Sequence, residues 1–348
     1  MMKRDYNADL VRVVAVLSVL SVHFFLNNGF YDQICVGKRM YVATVMRSAF
    51  MICVPLFILL TGYLMNKKEY SVKYFLNIKK VLIVYLLSML MIMLYEAVRY
   101  QKVFLLKDII SNITNYAYYS WYIEMYIGLY LLIPFINLAY NNLKNKAEKG
   151  GMCIVLFIIT AGPSLVNSFG GMKILPEWWA NIYPLTYYVI GAYIAEYKDE
   201  IKFPLKLNFV CIAICFLLAG TLSYAISYNT TFLWLSWNNF GGFTNVLSAT
   251  AVFLFLIKIN ITDWNPAIHR VIRFVAKISL PIYLLSYIAD DIWYSVLNNN
   301  VLNPLDRFFY YLPTVGCVFV TSVCLASVVH FIDTLPKRVR KIKSNGNK

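Results

Sequence analysis

Long apolar segments recur along the whole chain, and short charged segments separate them. Ten of them are candidate membrane-spanning helices: residues 10–29, 42–64, 81–98, 119–140, 152–170, 178–196, 207–227, 243–259, 276–297 and 309–332. Each is close to the ~20 residues that a helix needs to cross a bilayer. The pattern therefore predicts an all-α fold, a polytopic membrane helical bundle of about ten transmembrane helices.

Composition favours a membrane protein over a soluble one. The 348 residues are 60% hydrophobic and only 14% charged, which is less charge than a soluble domain of this length carries. The first apolar segment is too long and too weakly flanked for a cleaved signal peptide. We therefore expect it to be retained as the first span. Between the third and fourth segments, the apolar spacing of residues 99–118 predicts an amphipathic helix at the membrane interface.

The formal net charge of +15 has a topological explanation. Most lysines and arginines fall on the side of the N-terminus, if each apolar segment crosses once. They include Lys3, Arg4, Lys67, Lys68, Lys79, Lys80, Lys144, Lys202, Arg270 and Arg273. Such an excess marks the cytoplasmic side, so we predict that both termini are cytoplasmic. We expect the lipid bilayer as a partner and no nucleic acid.

Polar residues inside the apolar segments are candidates for function, because ionisable groups are costly in hydrocarbon. Arg12 and His23 lie eleven positions apart in the first segment. That spacing is nearly three helical turns, so both side chains share one face, roughly 16 Å apart along the axis. Further polar residues lie at a similar depth toward the outer side: Arg47, Glu96, Arg99, Glu124, Asp290 and Asp291. They predict a reaction chamber if the helices bring them together. The alternative is that several lie at the water interface and that Arg47 snorkels outward.

Two other sequence features carry less weight. The uncharged outer loop 228–242 contains Trp234 and Trp237, which we interpret as interfacial anchors or as a surface on which a sugar ring stacks. The seven cysteines are scattered and form neither a disulfide framework nor a cluster with metal-ligand spacing. We therefore expect no metal.

The first apolar segment, DLVRVVAVLSVLSVHFF, resembles the first span of the acyltransferase-3 family of integral membrane O-acyltransferases. The family has an arginine and a histidine separated by ten residues, and Arg12 and His23 match that spacing, with Asp9 three residues earlier. Other stretches are similar to later family spans: PLFILLTGYL at 55–64, NIKKVLIVYLL at 77–87, YSWYIEMYIGLYLLIPFI at 119–136, YVIGAYIAE at 188–196 and ISLPIYLLSYI at 278–288. One departure is Ser286, which stands where many members have a histidine.

The resemblance implies a membrane O-acyltransferase. It would move an acyl group, with acetyl expected, from cytoplasmic acyl-CoA to a hydroxyl of a cell-surface or lipid-linked polysaccharide, in a bacterial plasma membrane. It covers an acyltransferase-3-like transmembrane domain at 1–335, followed by a short basic cytoplasmic tail at 336–348. Acetyl-CoA is then the donor substrate, and no metal is needed.

Site roles follow from the resemblance together with general chemistry. On the cytoplasmic side, the candidate cations for holding the donor are Lys67, Lys68, Lys79, Lys80 and Arg12, and Arg12 and His23 would mark two points on its path. His23 is the candidate general base, or a carrier of the acyl group. We expect catalytic roles for His23, Arg12 and Glu124, with Glu124 or Asp290 orienting the imidazole. The candidate oxyanion donors are Trp121, Tyr122, Tyr126 and Arg47, and Asp9 and Ser286 are supporting residues.

The main alternative function is a polytopic transporter or flippase for a glycan or lipid-linked sugar that performs no acyl chemistry. Ten spans, intramembrane charges and prolines within spans, such as Pro184 and Pro281, suit a transporter. No inverted repeat is recognisable in the sequence, which favours the acyltransferase. The oligomeric state cannot be read from the sequence.

Overall fold

The computed structural model describes residues 5–168 and 172–345, with side chains as far as Leu335. Lys3, Arg4 and the side chains of the predicted basic tail 336–348 lie outside this described part. Within it the chain forms helices and no strand. The helices are α1 (Tyr6–Asn27), α2 (Gly37–Phe50), α3 (Cys53–Met65), α4 (Val72–Leu76), α5 (Lys79–Arg99), α6 (Leu106–Thr114), α7 (Trp121–Asn141), α8 (Lys146–Thr160), α9 (Gly162–Val166), α10 (Tyr183–Tyr197), α11 (Leu205–Ile226), α12 (Phe243–Lys258), α13 (Pro266–Lys277), α14 (Ser279–Asn300) and α15 (Tyr311–Asn345).

The all-helical class is confirmed, but the count of about ten spans is not. In the described residues, seven helical segments are long and apolar enough to cross a membrane, or eight if α13 and α14 form one span bent by 74°. The predicted spans 152–170 and 178–196 coincide with α8 and α10, which have only 15 residues each. The amphipathic segment 99–118 contains the short helix α6, none of whose residues is buried.

Helix α1 occupies a central position, which explains how polar groups on it become buried. It packs against α3, α12, α13, α14 and α15. Small and branched apolar residues along it, such as Val11, Ala15 and Val16, are completely buried. At its start the Asp5 side chain caps the helix by accepting hydrogen bonds from the backbone N–H groups of Asn7 and Ala8.

Two glycines allow helices α3 and α10 to touch backbone to backbone. A Cβ atom added at Gly62 would lie 1.9 Å from the carbonyl oxygen of Tyr188, and one at Gly191 would lie 2.0 Å from that of Leu59. No side chain fits in such a gap. Close helix packing through small residues is the usual way in which membrane helices gain van der Waals contact.

The bundle has two ends, named here after the ends of α1. At the Asp5 end, the hydroxyl of Tyr63 on α3 donates to Asp5. At the Asn27 end, the loop after α1 meets the loop after α11, where the Cys35 N–H donates to the Thr230 carbonyl at 2.8 Å. The predicted topology makes the Asp5 end cytoplasmic and the Asn27 end external.

Candidate active site

His23 and Asp290 form a buried pair between α1 and α14. The Nδ1 atom of His23 lies 2.9 Å from Oδ2 of Asp290, and the two residues are only 7% and 2% exposed. An ionised carboxylate can only accept hydrogen bonds, so it holds the imidazole proton on Nδ1. The Nε2 atom then keeps its lone pair and can accept a proton from another group.

Aromatic and amide groups fix the orientation of the imidazole. The ring of Tyr119 lies against it, with ring centroids 4.1 Å apart, and the side-chain amide of Asn27 donates to the His23 carbonyl at 2.8 Å. The Tyr283 hydroxyl in turn donates to the carbonyl of Tyr119. These contacts place the ring between α1, α14 and the segment that leads into α7.

Ser286 of α14 also contacts the imidazole. Its Oγ lies 3.4 Å from Nδ1 of His23 and donates a shorter hydrogen bond, 2.8 Å, to the Tyr283 carbonyl. The longer contact is weak by the usual geometric criteria. Asp290 is therefore the main partner of the imidazole, and Ser286 fills the space beside it.

Arg12 is held by Asp9, one turn earlier on α1. Its Nη1 lies 2.9 Å from Oδ1 of Asp9. Asp9 is buried, whereas the Arg12 side chain is 30% exposed. The ion pair orients the guanidinium while leaving part of it open to the space beside α1.

That space is a cleft with an empty volume of about 660 Å³, here called the central cleft. It is lined by Arg12, Val19, Val54, Phe57, Val81, Tyr122, Ile123, Tyr126, Ser279, Leu280 and Tyr283. Val19 lies seven positions after Arg12 and four before His23, spacings that put all three on one helix face. The cleft therefore follows that face from Arg12 toward His23. Tyr283, which also lines the cleft, donates a hydrogen bond to the backbone carbonyl of Tyr119 beside the imidazole.

A family comparison decides what kind of protein carries this arrangement. The model of the acyltransferase-3 family, an acyltransferase domain, matches residues 5–327. The chain belongs to the acyltransferase-3 family. No curated protein and no solved structure gives a match to the chain. In the described part of this acyltransferase, no group of three or more His, Cys, Asp or Glu residues could hold a metal ion.

The tyrosines of α7 and the neighbouring tryptophan have different environments in the acyltransferase. Tyr122 and Tyr126 line the central cleft. Trp121 does not line it and instead stacks on Phe240, with ring centroids 5.6 Å apart. Among the α7 candidates for an oxyanion donor, the structure thus favours the two tyrosines.

Glu124 does not reach the imidazole, contrary to the expectation that it might orient it. It is exposed on α7, whereas Tyr122 and Tyr126 face the cleft. A displacement of two residues turns a helical side chain by about 200°, so Glu124 points away from the face on which the tyrosines lie. The partner of His23 is Asp290.

Arg47 neither snorkels outward nor lines the central cleft. It is completely buried, its Nε donates to the Tyr31 hydroxyl at 3.2 Å, and its Nη1 donates to the Asn238 carbonyl at 2.9 Å. The rings of Phe232 and Trp234 cover the guanidinium at 4.6 and 4.3 Å. Arg47 thus fastens the outer loop 228–242 to α2, and the structure does not support its role as an oxyanion donor.

The two tryptophans of that loop do not form a pair of interfacial anchors. Trp237 is 1% exposed and belongs to the interior of the protein. Trp234 is half exposed and packs on Arg47 and, with a centroid distance of 5.0 Å, on Tyr31. Both residues serve to fix the loop.

Glu96 is buried near the His23–Asp290 pair rather than placed at the water interface. Its carboxylate accepts hydrogen bonds from Lys102 at 2.8 Å and from the hydroxyls of Tyr118 at 2.8 Å and Tyr287 at 2.9 Å. Burial raises the pKa of the Tyr118 hydroxyl, and the hydrogen bond to the Glu96 carboxylate raises it further. The hydroxyl therefore stays protonated and remains a donor. Tyr287 also contacts the ring of Tyr119, with centroids 5.6 Å apart. The Glu96 network therefore supports the residue that packs on His23.

The lysines at the Asp5 end fall into two groups, of which one lines a cleft. A cleft with an empty volume of about 1040 Å³, here called the lysine cleft, is lined by Lys67, Lys68 and Lys73. Lys79 and Lys80 begin α5, are exposed, and do not line it. Lys67 and Lys68 of the connection between α3 and α4 thus line this cleft together with Lys73 of α4 and with Glu69.

Proposed function

We propose that this membrane acyltransferase is an O-acetyltransferase. It takes the acetyl group from acetyl-CoA at the Asp5 end, in the cytoplasm, and transfers it to a hydroxyl of a cell-surface or lipid-linked polysaccharide. The observation that carries the proposal is the hydrogen bond between His23 and Asp290, because it leaves Nε2 of a buried imidazole ready to accept a proton. The family membership supports acyl transfer over the alternative of a transporter without chemistry.

The chemistry assigns one step to each group. Nε2 of His23 takes the proton of the acceptor hydroxyl as its oxygen attacks the thioester carbon. The new C–O bond forms, the C–S bond breaks, and the leaving thiolate receives the proton from the imidazolium. Asp290 stabilises the imidazolium while it exists. The hydroxyls of Tyr122 and Tyr126, which line the cleft, are the candidate donors to the developing oxyanion.

The donor path follows the face of α1 on which Arg12 and His23 lie. Phosphates of the donor bind in the lysine cleft through Lys67, Lys68 and Lys73, since ammonium groups favour phosphate. The pantetheine arm extends past Arg12 into the mostly apolar central cleft. Its thioester reaches the level of His23, about 16 Å further along α1. The acceptor arrives from the Asn27 end, so the two substrates meet at the imidazole.

Acetyl transfer by the purified protein tests this function. Protein in lipid nanodiscs is given acetyl-CoA with a labelled acetyl group and a polysaccharide fraction from a bacterial envelope. The proposal predicts label in the polysaccharide and an equal amount of free CoA thiol. A transporter would release no CoA, and that result would contradict the proposal. Label trapped on the protein in the absence of acceptor would show that His23 carries the acetyl group covalently.

A further inference from the structure

A second cleft opens at the Asn27 end, outside the site described above. Its empty volume, which includes open solvent, is about 820 Å³. It is lined by Thr160, Pro163, Ser164, Glu177, Ala180, Asn181, Tyr183, Ser236, Asn239, Phe240 and Gly241. We call it the outer cleft. One wall comes from the residues around α9 and the start of α10, and the other from the loop 228–242.

Hydrogen bonds hold the walls of the outer cleft in place. The Ser164 Oγ accepts from the N–H of Phe243 at 2.9 Å, and the Tyr187 hydroxyl donates to the Phe240 carbonyl at 2.7 Å. Arg47 fixes the loop wall from behind through the carbonyl of Asn238. Arg47, which is buried under the rings of Phe232 and Trp234, thus fixes the loop 228–242 at the rim of the outer cleft.

The polar groups that remain accessible in the cleft suit a ligand rich in hydroxyls. Glu177, Asn181, Ser236 and Asn239 line it and are exposed. A carboxylate accepts from sugar hydroxyls, and amide and hydroxyl side chains both accept from them and donate to them. Tyr183 and Phe240 add apolar surface of the kind on which the C–H face of a pyranose packs. A few polar groups set in an apolar wall are the usual makeup of a selective small-molecule site.

The charges of the residues that line the outer cleft favour an uncharged sugar ring as the ligand. Glu177 is the only ionisable acid or base among the lining residues other than the phenol of Tyr183. Lys173 pairs with Glu177 at 2.9 Å, which leaves no surplus positive charge. The cleft therefore offers an anionic sugar no unpaired cation, and a second negative charge would lie close to the Glu177 carboxylate.

We infer that the outer cleft is the subsite that binds an uncharged pyranose ring of the acceptor. The inference rests on the proposed function and names where the acceptor is held. Phe240 of the outer cleft stacks on Trp121, and the next residue, Tyr122, lines the central cleft. The two clefts therefore adjoin across this aromatic wall. When one sugar of a glycan is held in the outer cleft, the next sugar along the glycan lies within reach of the central cleft.

Binding of simple glycosides, measured apart from turnover, tests the inference. Saturation-transfer NMR is recorded on the protein in nanodiscs with the methyl glycosides of glucose, galactose, mannose and N-acetylglucosamine, and with methyl glucuronide. We expect transfer to at least one neutral glycoside and weaker transfer to the glucuronide. Asn181→Ala should weaken neutral-sugar binding about tenfold, the effect of losing a hydrogen bond of about 1.4 kcal/mol.

The matched control is Asn299→Ala, which removes an exposed amide at the same end from a different cleft, shared with Tyr95 and Arg99. It should leave glycoside binding unchanged. The inference is overturned if no neutral glycoside binds, or if Asn181→Ala binds as tightly as the wild type. Donor consumption is followed in the same samples. A wild-type protein that turns over acetyl-CoA but binds no neutral glycoside would refute the subsite alone, whereas one that binds neutral glycosides but shows no turnover would refute only the proposed function.

Discussion

The imidazole Nδ1 of His23 and the carboxylate Oδ2 of Asp290 lie 2.9 Å apart, although 267 positions separate them in the chain. The contact exists because α1 runs through the middle of the bundle and packs directly on α14. Both groups are buried, so solvent screens their interaction only slightly. A carboxylate in this position fixes the tautomer of the imidazole and stabilises its charged form, which is what a general base requires.

Replacing the carboxylate of Asp290 by an amide tests this coupling. Asp290→Asn keeps the shape but lets the imidazole adopt the wrong tautomer, so we expect acetyl transfer to fall about 10²–10⁴-fold. Acetyl-CoA binding should change little, because Asp290 does not line the central cleft. The measurement is kcat for transfer together with the donor Kd.

The matched control for Asp290 is Glu124→Gln, which makes the same chemical change at the carboxylate that the sequence also suggested. Glu124 is exposed on the far side of α7 from the cleft tyrosines, and we expect near wild-type transfer. A large loss in Glu124→Gln with little loss in Asp290→Asn would reverse the assignment.

The sequence was informative where a polar residue interrupts an apolar segment. Arg12, His23 and Asp290 were recognised on that basis, and the structure places His23 and Asp290 in contact. Tyr119 and Tyr283 gave no such signal, because a chain with 28 tyrosines offers no reason to select two of them. Which carboxylate meets the imidazole depends on how α1, α7 and α14 pack, and spacing along the chain does not contain that information.

We expect the lysines that line the lysine cleft to bind the phosphates of the donor. Changing Lys67, Lys68 and Lys73 together to Gln should raise the donor KM, with little change in the acceptor KM. Added salt should weaken donor binding to the wild type in the same direction. The matched control changes Lys79 and Lys80, which do not line the cleft, and should affect the donor KM less. If the Lys79 and Lys80 pair has the larger effect, the cleft assignment is wrong.

The spacing between Arg12 and His23 predicts the effect of insertions in α1. One alanine after Val16 rotates one end of the helix by about 100° relative to the other. Four residues restore the face to within about 40° but add roughly 6 Å of length. Because the central cleft follows one face between these residues, we expect both insertions to abolish transfer.

Transfer is measured per amount of folded protein in the membrane, since insertions also disturb the packing of α1. If Arg12 serves only as the structural partner of Asp9, the helix can shift at its start and the four-residue variant keeps substantial activity. That outcome would refute a fixed donor path while leaving His23 as the base.

The Glu96 network predicts a stability effect. Glu96→Ala leaves the hydroxyls of Tyr118 and Tyr287 without their acceptor, and an orphaned buried group costs about 1–3 kcal/mol. We expect a clear drop in the Tm of the protein in nanodiscs. Glu124→Ala, which removes an exposed glutamate, is the control and should leave Tm nearly unchanged. Equal Tm values for the two variants would show that the network does not stabilise the fold.

The fold was predicted well as a class and less well in detail. Hydropathy identifies apolar segments, but the chain breaks several of them: α13 and α14 meet at an angle of 74° at Ile278, and α8 and α10 are only 15 residues long. Close approach of α3 and α10 at Gly62 and Gly191 is likewise a property of packing. The burial of Arg47 also required the loop 228–242 to fold over it.

Acetyl transfer by His23→Ala tests the central claim most directly. The variant and the wild type are compared in nanodiscs at equal amounts of folded protein, with labelled acetyl-CoA and the envelope polysaccharide, and the donor Kd is measured for both. If His23 is the general base, transfer falls by about 10²–10⁴-fold while the donor Kd and Tm stay close to wild type. Wild-type turnover of acetyl-CoA to the polysaccharide by His23→Ala would contradict the account.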